Sequence, residues 1–189
     1  MDFIVGDLVN ARWFNVGDWF EGTGMITSYD IVQRMKINAI LAGKNITPEN
    51  SEQLANAVIE ELIEGILKKE KIIEYKITVS NLDFLKYEEN FYKKGNFNKD
   101  SLLKVFKTNN IDYEIFKNFL INEISWQKLI AGMYYRLTSV SDIEIEELLS
   151  KKPDILKDQA KNIIIQKQLD LKSTKLLRDI FNESTIEYK

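Results

Sequence analysis

Two runs of carboxylates, Glu60-Glu61-Glu64 and Glu144-Glu146-Glu147, carry the most chemistry-capable side chains of this sequence. Carboxylates grouped in this way could hold a hard cation or share acid and base roles. Both runs fall on helical stretches, on faces expected to meet solvent, and Lys68 follows Glu64 at the spacing and in the order that favour an ion pair. Solvated helix surface is the reading they favour. The chain has no histidine and no cysteine. The first absence removes the commonest general acid–base group and the commonest metal-binding side chain. The second removes disulfides, thiol nucleophiles and zinc–thiolate sites. Gly22-Thr23-Gly24 lacks the glycine spacing and the lysine of a phosphate-cradling loop. The sequence reads as a non-enzyme, with no metal and no cofactor expected.

A different chemistry stands near the amino terminus, where Trp13, Phe14, Trp19 and Phe20 could form an aromatic cage for a methylated cation. The same four residues could equally be the apolar face of a hairpin that covers helices, and that structural reading is the favoured one. Turn signals at Asn15-Val16-Gly17-Asp18 and Glu21-Gly22-Thr23-Gly24 separate short apolar stretches such as Phe3-Ile4-Val5 and Arg12-Trp13-Phe14. Residues 1–27 are therefore expected to form a β-hairpin region. Two strands alone are marginal in water and need a partner.

From Ser28 the pattern is helical. Thr27 or Ser28 offers a capping hydroxyl, Asp30 places negative charge in the first turn, and Gly43 ends the run. A second helix begins near Thr47-Pro48-Glu49 and carries Leu54, Val58, Leu62, Ile66 and their neighbours on one broad apolar face. Further helices are expected over 80–92, 99–107, from Asp112 past Met133, 142–149, and 154–181. Pro48 and Pro153 both sit at expected helix starts, where a missing amide hydrogen costs little. The closing Thr185-Ile186-Glu187-Tyr188 alternates apolar and polar side chains and reads as an edge strand.

Composition sets the outer limits. A chain of 189 residues can bury a real core, and 44% hydrophobic with 29% charged residues is ordinary for a globular protein. The net charge of −3 disfavours a nucleic-acid partner. No apolar run approaches the roughly 20 residues of a membrane-spanning helix. The first residues show neither a positive segment nor an apolar one of the kind that directs secretion.

Taken in order, Ile26-Thr27-Ser28-Tyr29-Asp30 leading into a helix, the helix pair 51–71 and 80–94, then Ile111-Asp112-Tyr113-Glu114-Ile115-Phe116-Lys117 leading into a long helix, resemble the chaperone module of the SurA family. Thr138-Ser139-Val140-Ser141-Asp142-Ile143-Glu144 resembles that family's exit toward its first parvulin prolyl-isomerase domain. Here the chain instead passes Pro153 to a segment similar to the family's closing helix, from Ala160 to Phe181, and final strand. Parvulin sites use histidines that this chain does not have. Residues 1–24 look instead like strands of a Tudor-type barrel.

The resemblance implies a mainly α fold with a small antiparallel β-sheet, made by the N-terminal hairpin and the C-terminal strand. It divides one structural domain into the hairpin region 1–27, a helical chaperone body 28–153, and a closing helix and strand 154–189 that pack back on the body. The implied function is ATP-independent binding of unfolded outer-membrane protein precursors in the periplasm, without prolyl-isomerase activity and without insertion into the membrane. Such a chaperone needs an apolar groove for aromatic-rich segments, gaining about 25 cal/mol per Å² buried. Its candidate lining is Phe84, Tyr87, Phe91, Tyr92, Trp126, Met133, Tyr134 and Tyr135. The competing role for each is the core, since aromatics at helical spacing usually pack inward. Exposed groove surface would also favour self-association as a homodimer. The alternative function is a peptide or modified-residue interaction module built on the aromatic hairpin.

Overall fold

The computed structural model describes residues 25–187. Seven α-helices make up most of them: α1 (Ser28–Leu41), α2 (Pro48–Glu74), α3 (Asn81–Gly95), α4 (Lys99–Thr108), α5 (Tyr113–Tyr134), α6 (Asp142–Lys151) and α7 (Lys157–Glu183). Their ends follow local chemistry. Thr27 and Asp30 form a reciprocal capping box at the start of α1, and Ser141 and Glu144 form another at the start of α6. Ser80, Asn98 and Asp112 each accept a first-turn amide with their side chains. Pro48 opens α2, at the position where its missing amide hydrogen is no loss. Beyond α1 the chain turns at Gly43 with φ of +62°, a conformation that only glycine adopts at no cost.

Two apolar clusters hold these helices, and α5 belongs to both. Its first half sends Phe116 and Leu120 into a cluster with Ile37 of α1, Phe84 and Tyr92 of α3, and Leu102 and Phe106 of α4. Its second half sends Trp126, Leu129 and Ile130 into a cluster with Ile31 and Met35 of α1, Val58, Ile63 and Leu67 of α2, and Leu169 and Ile180 of α7. The long closing helix α7 thus packs on α2 and α5 and also on α6, to which its first residue, Lys157, is tied through Asp142 at 3.1 Å. Polar ties cross the same seams. Buried Gln33 of α1 donates to the Asn110 carbonyl at 3.0 Å and accepts the Asp112 amide at 3.0 Å, fixing α1 against the turn that leads into α5.

The expected β-sheet is absent from the described residues, and the fold class is corrected to all-helical there. Residues 185–187, the described part of the expected C-terminal strand 185–188, form no ladder. The Ser184 hydroxyl instead donates to the Ile180 carbonyl at 2.8 Å, and Ile186 packs against the first apolar cluster. Alternation over so few residues reports only which side chain faces inward, and a helix surface satisfies that as well as a strand does. The expected hairpin, with Trp13, Phe14, Trp19 and Phe20, lies outside the described residues.

Candidate binding cleft

A broad concavity opens between α1, α2, α5 and the link from α2 to α3, with a volume of about 800 Å³. Half of its lining side chains are apolar and half are polar or charged. Leu62, Ile66, Ile72 and Ile73 come from α2, Ile77 and Val79 from the link, Ile115, Phe119 and Ile121 from α5, and Met25 and Ile26 from the segment entering α1. The helical periods explain the convergence: Leu62, Ile66 and Ile73 share a flank of α2, and Ile115 and Phe119 lie one turn apart on α5. Ile73 is 64% exposed and Met25 47%, so the apolar surface continues to the lip.

A polar band crosses this lining. Lys68 of α2 pairs with Glu123 of α5 at 3.0 Å. The Asn122 side chain donates to the Gly65 carbonyl at 2.9 Å, joining the same two helices. Arg34 of α1 lies almost wholly covered, its guanidinium carbon 3.9 Å from the Phe119 ring centroid. Its nearest carboxylate oxygen, Glu61 Oε1, stands 3.6 Å from Nη1, and Asn38 donates to the other Glu61 oxygen at 2.7 Å. Burial lowers the Arg34 pKa from its ordinary value, and the charges of Glu61 and Glu123 only partly oppose that.

Two smaller pockets flank the fold. One, of about 680 Å³, lies beside α3 and α4, where Glu88 accepts from Lys99 Nζ at 2.7 Å, from Tyr113 at 2.7 Å and from Tyr92 at 3.2 Å. Burial alone would raise the Glu88 carboxyl, but these three donors outweigh it and hold it below the usual carboxylate range. The other, of about 310 Å³, lies between α5 and α7 beside Trp126 and Ser173.

The groove residues expected from sequence fall into separate places. Phe84, Phe91 and Tyr92 belong to the second apolar cluster with Tyr87 at its edge, and Phe91 meets Phe116 edge-on at 5.5 Å. Trp126, Met133 and Tyr134 belong to the first cluster, where the Trp126 indole donates to Ser173 at 2.8 Å. Tyr135 is 57% exposed beyond the end of α5. None of these lines the large cleft, although Tyr92 and Trp126 each reach one of the smaller pockets.

The acidic runs also differ from expectation. Glu61 and Glu64 are half-buried and line the cleft, and Lys68 reaches across to Glu123 rather than back along its own helix to Glu64. Glu144 is exposed and spent on capping α6. Among the described residues no group of acidic, histidine or cysteine side chains converges as a metal site, and no helix is long and apolar enough to cross a membrane.

Sequence reasoning missed Arg34, Glu61, Phe119 and Asn122 as a set. One signal was legible: Arg34 stands between Ile31, Met35 and Asn38 on the inward face of α1, where a solvated arginine does not belong. No protein-family model matches the chain, and no curated protein matches it either.

Proposed function

We propose that this protein is an ATP-independent chaperone that holds unfolded polypeptide, with outer-membrane protein precursors in the periplasm as its clients and no prolyl-isomerase activity of its own. The order of segments supports the client class through the likeness to the SurA family. The observation that carries a binding role is the cleft between α1, α2 and α5. It is open, about 800 Å³, with an apolar half that reaches exposed Ile73 and Met25 at the lip. Apolar surface interleaved with polar groups offers an extended segment both burial and hydrogen bonds without reading a sequence. Clients would be held by apolar burial in the cleft rather than by a ring of aromatics, since the aromatic side chains first expected to bind lie largely in the two cores.

The test is dilution of a urea-unfolded outer-membrane barrel protein into buffer, with light scattering followed in the presence and absence of this chain. Suppressed scattering at stoichiometric amounts is the expected result. Equal aggregation with and without a folded, helical sample would overturn the reading.

A further inference from the structure

The cleft contains one polar feature that the rest of its lining does not satisfy. Arg34 is only 7% exposed, yet its Nε and Nη1 find no hydrogen-bond acceptor within the protein. Glu61 Oε1, at 3.6 Å, attracts the charge but is too far to accept a hydrogen bond. Glu123 is occupied by Lys68. A buried donor left without an acceptor is costly, so such groups usually mark a place that something else completes. The guanidinium is held from its face by Phe119, and no hydrogen bond fixes its position within its own plane.

Resting on the reading of this cleft as a polypeptide site, we propose that Arg34 binds main-chain carbonyl oxygens of an extended client segment lying along α2 and α5. Charge decides between a carbonyl and a carboxylate as the ligand. The lining carries Asp30, Glu61, Glu64 and Glu123 against Arg34, Lys68 and Lys69, a surplus of one negative charge. A further anion would meet that surplus, whereas a neutral carbonyl does not. An extended segment offers a carbonyl at every residue and sends alternate side chains to one side, where the aliphatic part of the lining can cover them. Because Nε and Nη1 are covered, contact with a client requires the guanidinium to shift in its plane toward the mouth while it keeps its stack on Phe119. Recognition by backbone carbonyls is indifferent to client sequence, as a holding chaperone requires.

The probe is a fluorescent peptide of alternating tyrosine, valine and serine with both ends blocked, together with analogues in which one backbone amide is replaced by an ester. An ester carbonyl is the weaker acceptor. Binding is measured for the full chain and for Arg34→Met and Arg34→Lys, each first shown to be folded by its helical spectrum and melting transition. Arg34→Met should weaken binding roughly tenfold, the worth of a hydrogen bond to a charged group. The lysine variant should fall between, and supplies the answer should the methionine variant not fold. An ester at one position should weaken binding to the parent protein several-fold but leave Arg34→Met indifferent. Folded variants that bind as the parent does, or ester effects equal in all three proteins, would sink the assignment. Preference of the parent for a peptide with a free carboxy terminus, lost in Arg34→Met, would make the ligand a carboxylate and overturn the carbonyl assignment. A parent protein that binds no extended peptide at all would instead overturn the chaperone reading beneath it.

Discussion

The Tyr113 hydroxyl donates to the Glu88 carboxylate at 2.7 Å, tying the first turn of α5 to the buried face of α3. Lys99 of α4 reaches the other carboxylate oxygen at 2.7 Å, so one side chain clasps three helices. Glu88 is only 3% exposed, and its charge survives there because both carboxylate oxygens accept hydrogen bonds, one of them from a lysine. Glu88→Ala would strand two tyrosine hydroxyls and is expected to cost about 2–3 kcal/mol. Glu88→Gln keeps one acceptor and should cost less. Urea titration of the two variants checks both the sum and the order.

The same clasp predicts the response to acid. The folded Glu88 carboxyl titrates below its ordinary value, because Lys99 and the two tyrosines more than offset burial. Its contribution is therefore complete above the unfolded carboxyl pKa, about 4.3, and is lost as pH falls through the depressed folded value. Between neutral pH and pH ~3 the parent should lose more stability than Glu88→Gln. Parallel acid limbs for the two proteins would show that Glu88 is not the titrating group.

At the alkaline end the tyrosines take over. Burial first, then the charge of Glu88 for Tyr92 and the hydrogen bond to Glu88 for Tyr113, raise both phenols well above the ordinary 10.0. Raised folded values mean that their contribution is intact below pH ~10 and is lost as pH climbs further. Ultraviolet titration of tyrosinate should show late phenols that ionise only with unfolding, Tyr92 and Tyr113 among them, with Tyr87 also displaced upward by burial. In Tyr113→Phe one of these late phenols should vanish.

Helix placement was legible in the sequence because capping residues and apolar spacing are local. Thr27, Ser80, Asn98, Asp112 and Ser141 all start helices where their side chains announce it. The strand at 185–188 was misread because four alternating residues cannot say whether a ladder or a helix surface covers Ile186. The site was harder. Aromatics drew attention at Phe84, Phe91 and Trp126, but size alone sends such side chains inward, and here they fill the two cores. The apolar half of the cleft is built mainly from isoleucines whose exposure depends on which neighbour happens to cover them, and spacing cannot report that. Lys68 shows the same limit: Glu64 is its neighbour along the helix, yet Glu123 of α5 takes it.

Trp126 and Ser173 test how firmly the last helix is held. The indole is 4% exposed and its nitrogen donates to the Ser173 hydroxyl at 2.8 Å, joining α5 to α7. Ser173→Ala removes the acceptor and should cost about 1 kcal/mol, while Trp126→Phe loses the bond and some volume and should cost about 2–3 kcal/mol. The double variant should cost little more than Trp126→Phe alone, because the bond can be lost only once. Thermal melts of the set decide this, and full additivity would mean that the pair is not coupled.

Ile73 separates binding from folding. Its side chain is 64% exposed at the lip of the cleft, so Ile73→Ser should change stability by no more than about 0.5 kcal/mol. A client covering the lip would bury that side chain, which is worth about 1–2 kcal/mol. The variant should then hold an unfolded barrel precursor roughly five- to thirtyfold more weakly. Leu156, 72% exposed and away from the cleft, supplies the control: Leu156→Ser removes comparable apolar surface and should leave client binding unchanged. Equal losses in the two variants would mean that clients adhere to exposed apolar surface generally, and the cleft would lose its claim as the site.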